Sequence, residues 1–297
     1  GSYLVIPATE CNDGGYSNVP STPPSNPVFP IIWYGTDVTY MFEDNWPLLG
    51  DYDMNDVVLN MKPEYTIDDK NKVTQLKLDV TLRAVGGVKR LAVGMQIDGM
   101  AHDVVSSVSV SPSSQAGRDN SVFNASNGLE TDQEFVVIPI FDDVHKALGI
   151  PAGTMVNTTV GGSAETVSPL VVKFTINFKN PVDKEAVSID KLNPFIVNGG
   201  YNNSRHEVHL PGFAPTVKAD VRRFGAGDDD SNDSNNKYYT SKGNMIWALA
   251  IPGATRYPKE YTSITKAYPK LESWATSSGQ SDKDWYLHPD LTFIYDK

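Results

Sequence analysis

Residues 76–84, Leu76-Lys77-Leu78-Asp79-Val80-Thr81-Leu82-Arg83-Ala84, alternate apolar and polar side chains without a break. Successive side chains on a strand point to opposite faces. This period of two therefore puts Leu76, Leu78, Val80, Leu82 and Ala84 on a buried face and leaves the polar residues on the other. The pattern returns in Val172, Phe174, Ile176 and Phe178, set against Lys173, Thr175, Asn177 and Lys179, and again in Leu91, Val93, Met95 and Ile97. Clusters of Gly, Pro, Asn and Asp separate these runs, as turns between strands require. Half-buried strands of this kind predict an all-β fold with minor α, an antiparallel β-sandwich or jelly-roll-like architecture. Helical spacing is local. Ile264, Ala267, Tyr268, Leu271, Trp274 and Ala275 form one stripe near the C-terminus, which Pro269 is expected to interrupt. A shorter candidate runs from Asp142 or Asp143 through Leu148 to Gly149, with acid at its start and His145 and Lys146 near its end.

The chain carries 25 Lys and Arg against 36 Asp and Glu, a net charge of -11. This argues against nucleic acid as a partner, because such affinity comes from neutralising phosphates, and against anionic membrane surfaces. No window holds the roughly 18 consecutive apolar residues of a bilayer-spanning helix. The one cysteine, Cys11, excludes an internal disulfide framework and a multi-thiolate zinc site, and reads as an inert thiol. Without a basic and apolar leader, any export signal is expected to have been removed, and Gly1-Ser2 reads as an expression remnant. Residues 1–30 are rich in Pro, Ser, Asn and Gly and predict a linker or arm, with the folded unit spanning 31–297. A sub-boundary near 185–200 is conceivable, because the stretch from Phe178 to Gly200 reads as irregular.

The segment 43–58, EDNWPLLGDYDMNDVV, contains the hexad Asp51-Tyr52-Asp53-Met54-Asn55-Asp56. Its oxygen-bearing side chains stand at positions one, three, five and six. Carboxylates so close repel one another, and either their pKa values rise or a cation sits among them. Hard oxygen donors at alternate loop positions suit Ca2+, which takes about six to eight oxygens in irregular geometry. Position six is Asp56 where an EF-hand has Gly, and position twelve is Lys62 where it has Glu, so the loop is not an EF-hand. The remaining ligands are expected from Glu43 and Asp44, folded back over the hexad by the Pro47 to Gly50 turn. Val57, Val58 and Leu59 then enter the core as a strand. The expected role of the ion is structural, since no base or nucleophile accompanies it. A second hexad, residues 228–233, repeats the spacing with Asp228, Asp230, Asn232 and Asp233, a possible second metal site or one that converges with the first. Its small, polar surroundings equally describe a surface loop.

Other constellations read as structural. In His206-Glu207-Val208-His209 the histidines are three apart, and Leu210-Pro211-Gly212 follows. This predicts a strand with Glu207 and His209 on one face, and not a helical zinc motif. No nucleophile elbow, phosphate-binding loop or dinucleotide fingerprint is present. Trp33, Tyr34, Trp46, Trp247, Trp274, Trp285 and Tyr286 could include a sugar-stacking platform, although such residues are more often core.

Phe42-Glu43-Asp44-Asn45-Trp46-Pro47 followed by residues 50–58, GDYDMNDVV, resembles the opening of the LruC-type domain of bacterial envelope proteins. Asn193-Pro194-Phe195-Ile196, the run RHEVHLPGFAPT at 205–216, WALAIP at 247–252, Tyr257-Pro258, Trp274-Ala275 and Asp284-Trp285-Tyr286 are similar to that domain's C-terminal half. Leu48-Leu49 departs from the more polar pair expected there. The resemblance implies an exported protein of a Gram-negative bacterium, lipid-anchored at the outer membrane or cell surface, with a β-rich fold and no established catalytic residues. Asp51, Asp53, Asn55, Asp56, Glu43 and Asp44 match its motif. Together these readings predict a non-catalytic, Ca2+-stabilised surface module acting in adhesion or in glycan or matrix-protein binding. The alternatives are an envelope glycan hydrolase and a structural domain of a surface assembly.

Overall fold

The computed structural model describes residues 28–113, 116–159, 164–198 and 204–295. Residues 1–27 of the expected arm, Cys11 among them, lie outside these. Thirteen strands follow in chain order: β1 (Ile31–Tyr34), β2 (Val38–Phe42), β3 (Val57–Ile67), β4 (Val73–Ala84), β5 (Leu91–Ala101), β6 (Val105–Ser111), β7 (Ala125–Ser126), β8 (Leu129–Glu130), β9 (Phe135–Phe141), β10 (Leu170–Val182), β11 (Leu192–Asn198), β12 (His206–Val208) and β13 (Ala248–Pro252). All pairings between them are antiparallel. A seven-stranded sheet has the order β13-β2-β3-β4-β10-β6, with β1 pairing the far half of β3. A four-stranded sheet has the order β12-β11-β5-β9, and β7-β8 form a small hairpin.

The alternation in β4 holds from Leu76 to Leu82, and Ala84, beyond a register shift against Val58 and Leu59, turns to the opposite face. Leu76, Leu78, Val80 and Leu82 are buried against Val93, Met95 and Ile97 of β5, Val136, Ile138 and Ile140 of β9, and Leu192 and Ile196 of β11. Two sheets facing each other over one apolar layer make a sandwich. Each such Leu or Ile contributes roughly 1.5–3 kcal/mol by leaving water. The larger sheet is covered on its other face as well. Met41, Val58, Ala84, Leu249 and Ile251 point away from the sandwich and pack on Tyr257, Ile264, Tyr268, Leu271, Trp285 and Tyr295. The C-terminal segment therefore forms an outer layer over β2, β3 and β13.

The short helices lie where the sequence places them. In α1 (Val144–Leu148) the Asp143 side chain accepts the Lys146 N–H, and Gly149 closes the helix in the left-handed conformation at φ 70°. The C-terminal stripe is divided into α2 (Ile264–Ala267) and α3 (Leu271–Thr276), with Pro269 in the gap. Residues 192–198, which read as irregular, are β11, paired along its whole length with β5. Pro194 hides the pattern there. It sits before β12 joins at Ile196, an edge-like position where a missing N–H is tolerated. Among the described residues no helix is long and apolar enough to cross a membrane.

Candidate metal centre

The acidic loop links β2 to β3 and is drawn tight by its own backbone. Tyr52 and Met54 both have φ of 58°, a conformation that side chains other than Gly rarely adopt. Burial holds them there. Met54 is fully enclosed in the outer layer, and the Tyr52 hydroxyl accepts the Ile246 N–H at 3.2 Å while its carbonyl accepts the Ile264 N–H at 2.7 Å. With Tyr52 and Met54 turned into apolar surroundings, the intervening acids gather in one nest. Upstream, the Leu48 N–H to Asn45 carbonyl bond closes the turn at Pro47, and the Asp44 N–H donates to Asp56 Oδ2 at 2.6 Å. Leu48 fits this turn by its backbone, since its carbonyl accepts the Trp247 indole N–H at 2.8 Å while its side chain stays exposed.

Two overlapping groups of carboxylates result, Glu43 with Asp44 and Asp56, and Glu43 with Asp51 and Asp53. Within each group ligand oxygens lie within 4.8 Å of one another. Glu43, Asp44, Asp53, Asn55 and Asp56 are buried, and Asp51 is exposed. A residue not anticipated from sequence, Glu260 of the outer layer, joins them. Its neighbour Tyr261 donates its N–H to Asp53 Oδ2 at 2.9 Å. The only ion pair to these acids among the described residues is Lys89 Nζ to Asp44 Oδ1, at 2.7 Å.

The electrostatic cost is large. Burial pushes Asp53 up to about 8, with Glu260, Asp51 and Glu43 adding repulsion. It likewise pushes Glu43 and Glu260 each up to about 7. Asp56 is raised well above the carboxylate range by burial and then by Asp44, Glu43 and Asp53. Glu43 Oε2, Asn55 Oδ1 and Glu260 Oε2 are buried and accept no hydrogen bond among the described residues. Orphaned oxygens converging in one place are the donor set a hard cation requires. The floor of the nest is Gly86-Gly87, whose N–H groups bind the carbonyls of Asn55 and Asp56. A Cβ on Gly86 would lie 2.0 Å from Asn55 Oδ1 and 2.6 Å from Glu260 Oε2. One on Gly87 would lie 3.0 Å from Asp44 Oδ2 and 3.1 Å from Asp56 Oδ1. The residues present thus fit a divalent cation. A Gly86→Ala substitution is expected to displace Asn55 and Glu260, cost about 1–3 kcal/mol by overpacking, and remove any Ca2+-induced rise in melting temperature. An unaltered Ca2+ response in that variant would show that the Gly86 side of the nest is not used.

The second hexad is built differently. Asp229, between the expected ligands, is the buried acid, and it accepts from the Gly225 and Ser231 N–H groups and the Ser231 hydroxyl. Asp230 pairs with Lys237, Asn232 caps the Ser234 N–H, and Asp233 accepts the Tyr238 hydroxyl. Asp228 does approach the first loop, through the backbone. Its carboxylate accepts the Leu49 N–H and its N–H donates to the Pro47 carbonyl, each at 3.0 Å. The two hexads are therefore neighbours through the Pro47 to Leu49 turn, with Asp228 bonded to that turn and Asp230, Asn232 and Asp233 engaged in bonds within their own loop.

Glu207 and His209 share a face as the strand reading predicts. His209 Nε2 lies 2.7 Å from Glu207 Oε2, and Asn193 Nδ2 lies 2.9 Å from His209 Nδ1. Burial would raise the Glu207 pKa, yet His209, Arg205 and Thr216 overcome it and hold it at about 2, while burial lowers that of His209. Arg205 also pairs with Glu130, and His209 stacks on Phe195 at 4.3 Å. Both Glu207 and His209 are fully enclosed, so this is a structural network. Of the aromatics, Trp46, Trp247 and Trp285 are core, whereas Trp33 and Tyr34 are 49% and 62% exposed on β1.

Residues 71–286 match the profile of the family described as a domain of unknown function, DUF4842, and the chain belongs to that family. The acidic loop at 43–56 precedes the matched region, and Gly86, Gly87 and Glu260 lie within it. Among solved structures, the chain is similar to a Bacteroides ovatus protein described as a putative lipoprotein. The TM-score is 0.67 and the identity 22%, with 89% of this chain and 76% of that chain covered, a likeness of fold. No curated protein matches.

Proposed function

We propose that the chain is a non-catalytic, Ca2+-stabilised module of a bacterial cell surface, exported and lipid-anchored at the outer membrane, that binds a glycan or matrix ligand. The observation that carries the metal part is the set of buried, unpartnered oxygens on Glu43, Asn55 and Glu260. A cation relieves their repulsion and fixes the loop, which supports a structural role for the ion. The surface setting is supported by the resemblance to LruC-type domains and by the description of the Bacteroides ovatus neighbour. For ligand binding, the outer face of the seven-stranded sheet offers a groove of about 410 Å³, lined by Tyr34, Lys62, Glu64, Lys77, Asp79 and Lys173. An exposed ring beside alternating charges suits a sugar, which stacks its apolar face and hydrogen-bonds its hydroxyls. On a glycan and matrix-protein array, the Ca2+-loaded protein is expected to bind a defined subset of glycans. Tyr34→Ala should weaken that binding at least tenfold without altering the melting temperature. Retained binding in Tyr34→Ala would remove the groove from the account, and release of reducing ends from envelope glycans would overturn the non-catalytic reading.

A further inference from the structure

We infer that the acidic nest is a two-cation site, bridged by Glu43, in which Glu260 fastens the outer layer to the loop. The inference rests on the metal reading above and deepens it. Two sets of ligand oxygens converge, and they share only Glu43. Two oxygens without a hydrogen-bond partner among the described residues, Asn55 Oδ1 and Glu260 Oε2, meet over Gly86, while Asp44 Oδ2 and Asp56 Oδ1 meet over Gly87. Charge points the same way. Glu43, Asp44, Asp51, Asp53, Asp56 and Glu260 face the ammonium of Lys89 alone among the ion pairs of the described residues. One divalent ion leaves the nest with an excess of three negative charges, and two leave it with one. Glu43 and Asn55 are both fully enclosed, so their unpartnered oxygens cannot turn to solvent.

The position over Gly86 takes a ligand from each side of a structural seam. Asn55 belongs to the loop, and its side-chain amide donates to the Pro258 carbonyl at 3.2 Å, while Glu260 follows two residues later in the outer layer. A cation there ties residues 258–261 to the sandwich. Titration of metal-stripped protein with Ca2+ alone, followed by calorimetry and by elemental analysis, is expected to give two ions per chain. Glu260→Gln should bind one, and Asp51→Asn, at an exposed position that the fold does not require, should weaken one of the two at least tenfold. Glu260→Gln removes a repelled charge, so its metal-free form should melt no lower than wild type. A stoichiometry of one in wild type, or of two in Glu260→Gln with unchanged affinities, overturns the two-cation inference and leaves the single-ion reading standing. A stoichiometry of zero overturns both.

Discussion

Metal-stripped protein is expected to lose stability as pH rises from about 5 to 8.5, and added Ca2+ to restore it most strongly at the alkaline end. The sign follows from the direction of the shifts. Asp53 at about 8 and Glu43 and Glu260 at about 7 lie above their unfolded values, near 4. The native state therefore binds more protons than the unfolded chain between these limits. The penalty is absent below the unfolded pKa, grows through the window, and is complete above the native pKa. At about 1.4 kcal/mol per pH unit, Asp53 alone costs the metal-free fold several kcal/mol at the alkaline end. Divalent ions turn that repulsion into ligation, and at a hundredfold excess over Kd one ion adds about 2.7 kcal/mol. Glu207 acts in the opposite sense. Its native pKa of about 2 means that its contribution is present above about 4 and is lost as pH falls through 2. Metal-free protein should accordingly be most stable near about pH 5. Melting curves across pH, with chelator and with Ca2+, check this. Parallel curves with no Ca2+ effect at about pH 8.5 would contradict it.

Glu207→Ala is expected to destabilise the protein by about 3–5 kcal/mol, because removing one partner of a buried ion pair leaves the other uncompensated. Arg205 is 13% exposed and would keep Glu130 but lose its second carboxylate. His209 Nε2 would lose its acceptor, as would the Thr216 N–H and hydroxyl, at 2.9 and 2.7 Å. These groups lie between β12, β11 and the segment after Leu210, so the loss falls on the edge of the smaller sheet. Glu207→Gln keeps an acceptor for some of these donors and should cost less. Denaturant unfolding measures both, and a loss below about 1 kcal/mol in Glu207→Ala would show that the network relaxes into water.

What could be read from the sequence is what repeats locally. Leu76 to Ala84 announce a half-buried strand because each residue's neighbours along the chain set its face. Asp143 and Gly149 bracket α1 because caps act within one turn. The hexad was legible for the same reason, its ligands being near in sequence. Glu260 was not, since it reaches the nest only because the outer layer folds back across β2 and β3, about 200 residues from the loop. Gly86-Gly87 gave no signal either. Their role is to leave space, and the groups that need the space, Asn55 and Glu260, come from elsewhere. The strand at 192–198 was obscured because β11 is buried on both faces, Phe195 and Val197 packing with Phe123 outside while Leu192 and Ile196 face the sandwich. A strand covered twice loses its alternation.

The most direct test of the central claim is the anomalous difference density of crystals grown with Ca2+. The account predicts two peaks at Gly86-Gly87, one ligated by Asp51, Asp53, Asn55 Oδ1 and Glu260 Oε2 and the other by Asp44 and Asp56, with the Glu43 carboxylate shared between them. Anomalous maps with no peak at the nest, in crystals grown at Ca2+ concentrations well above millimolar, would contradict it.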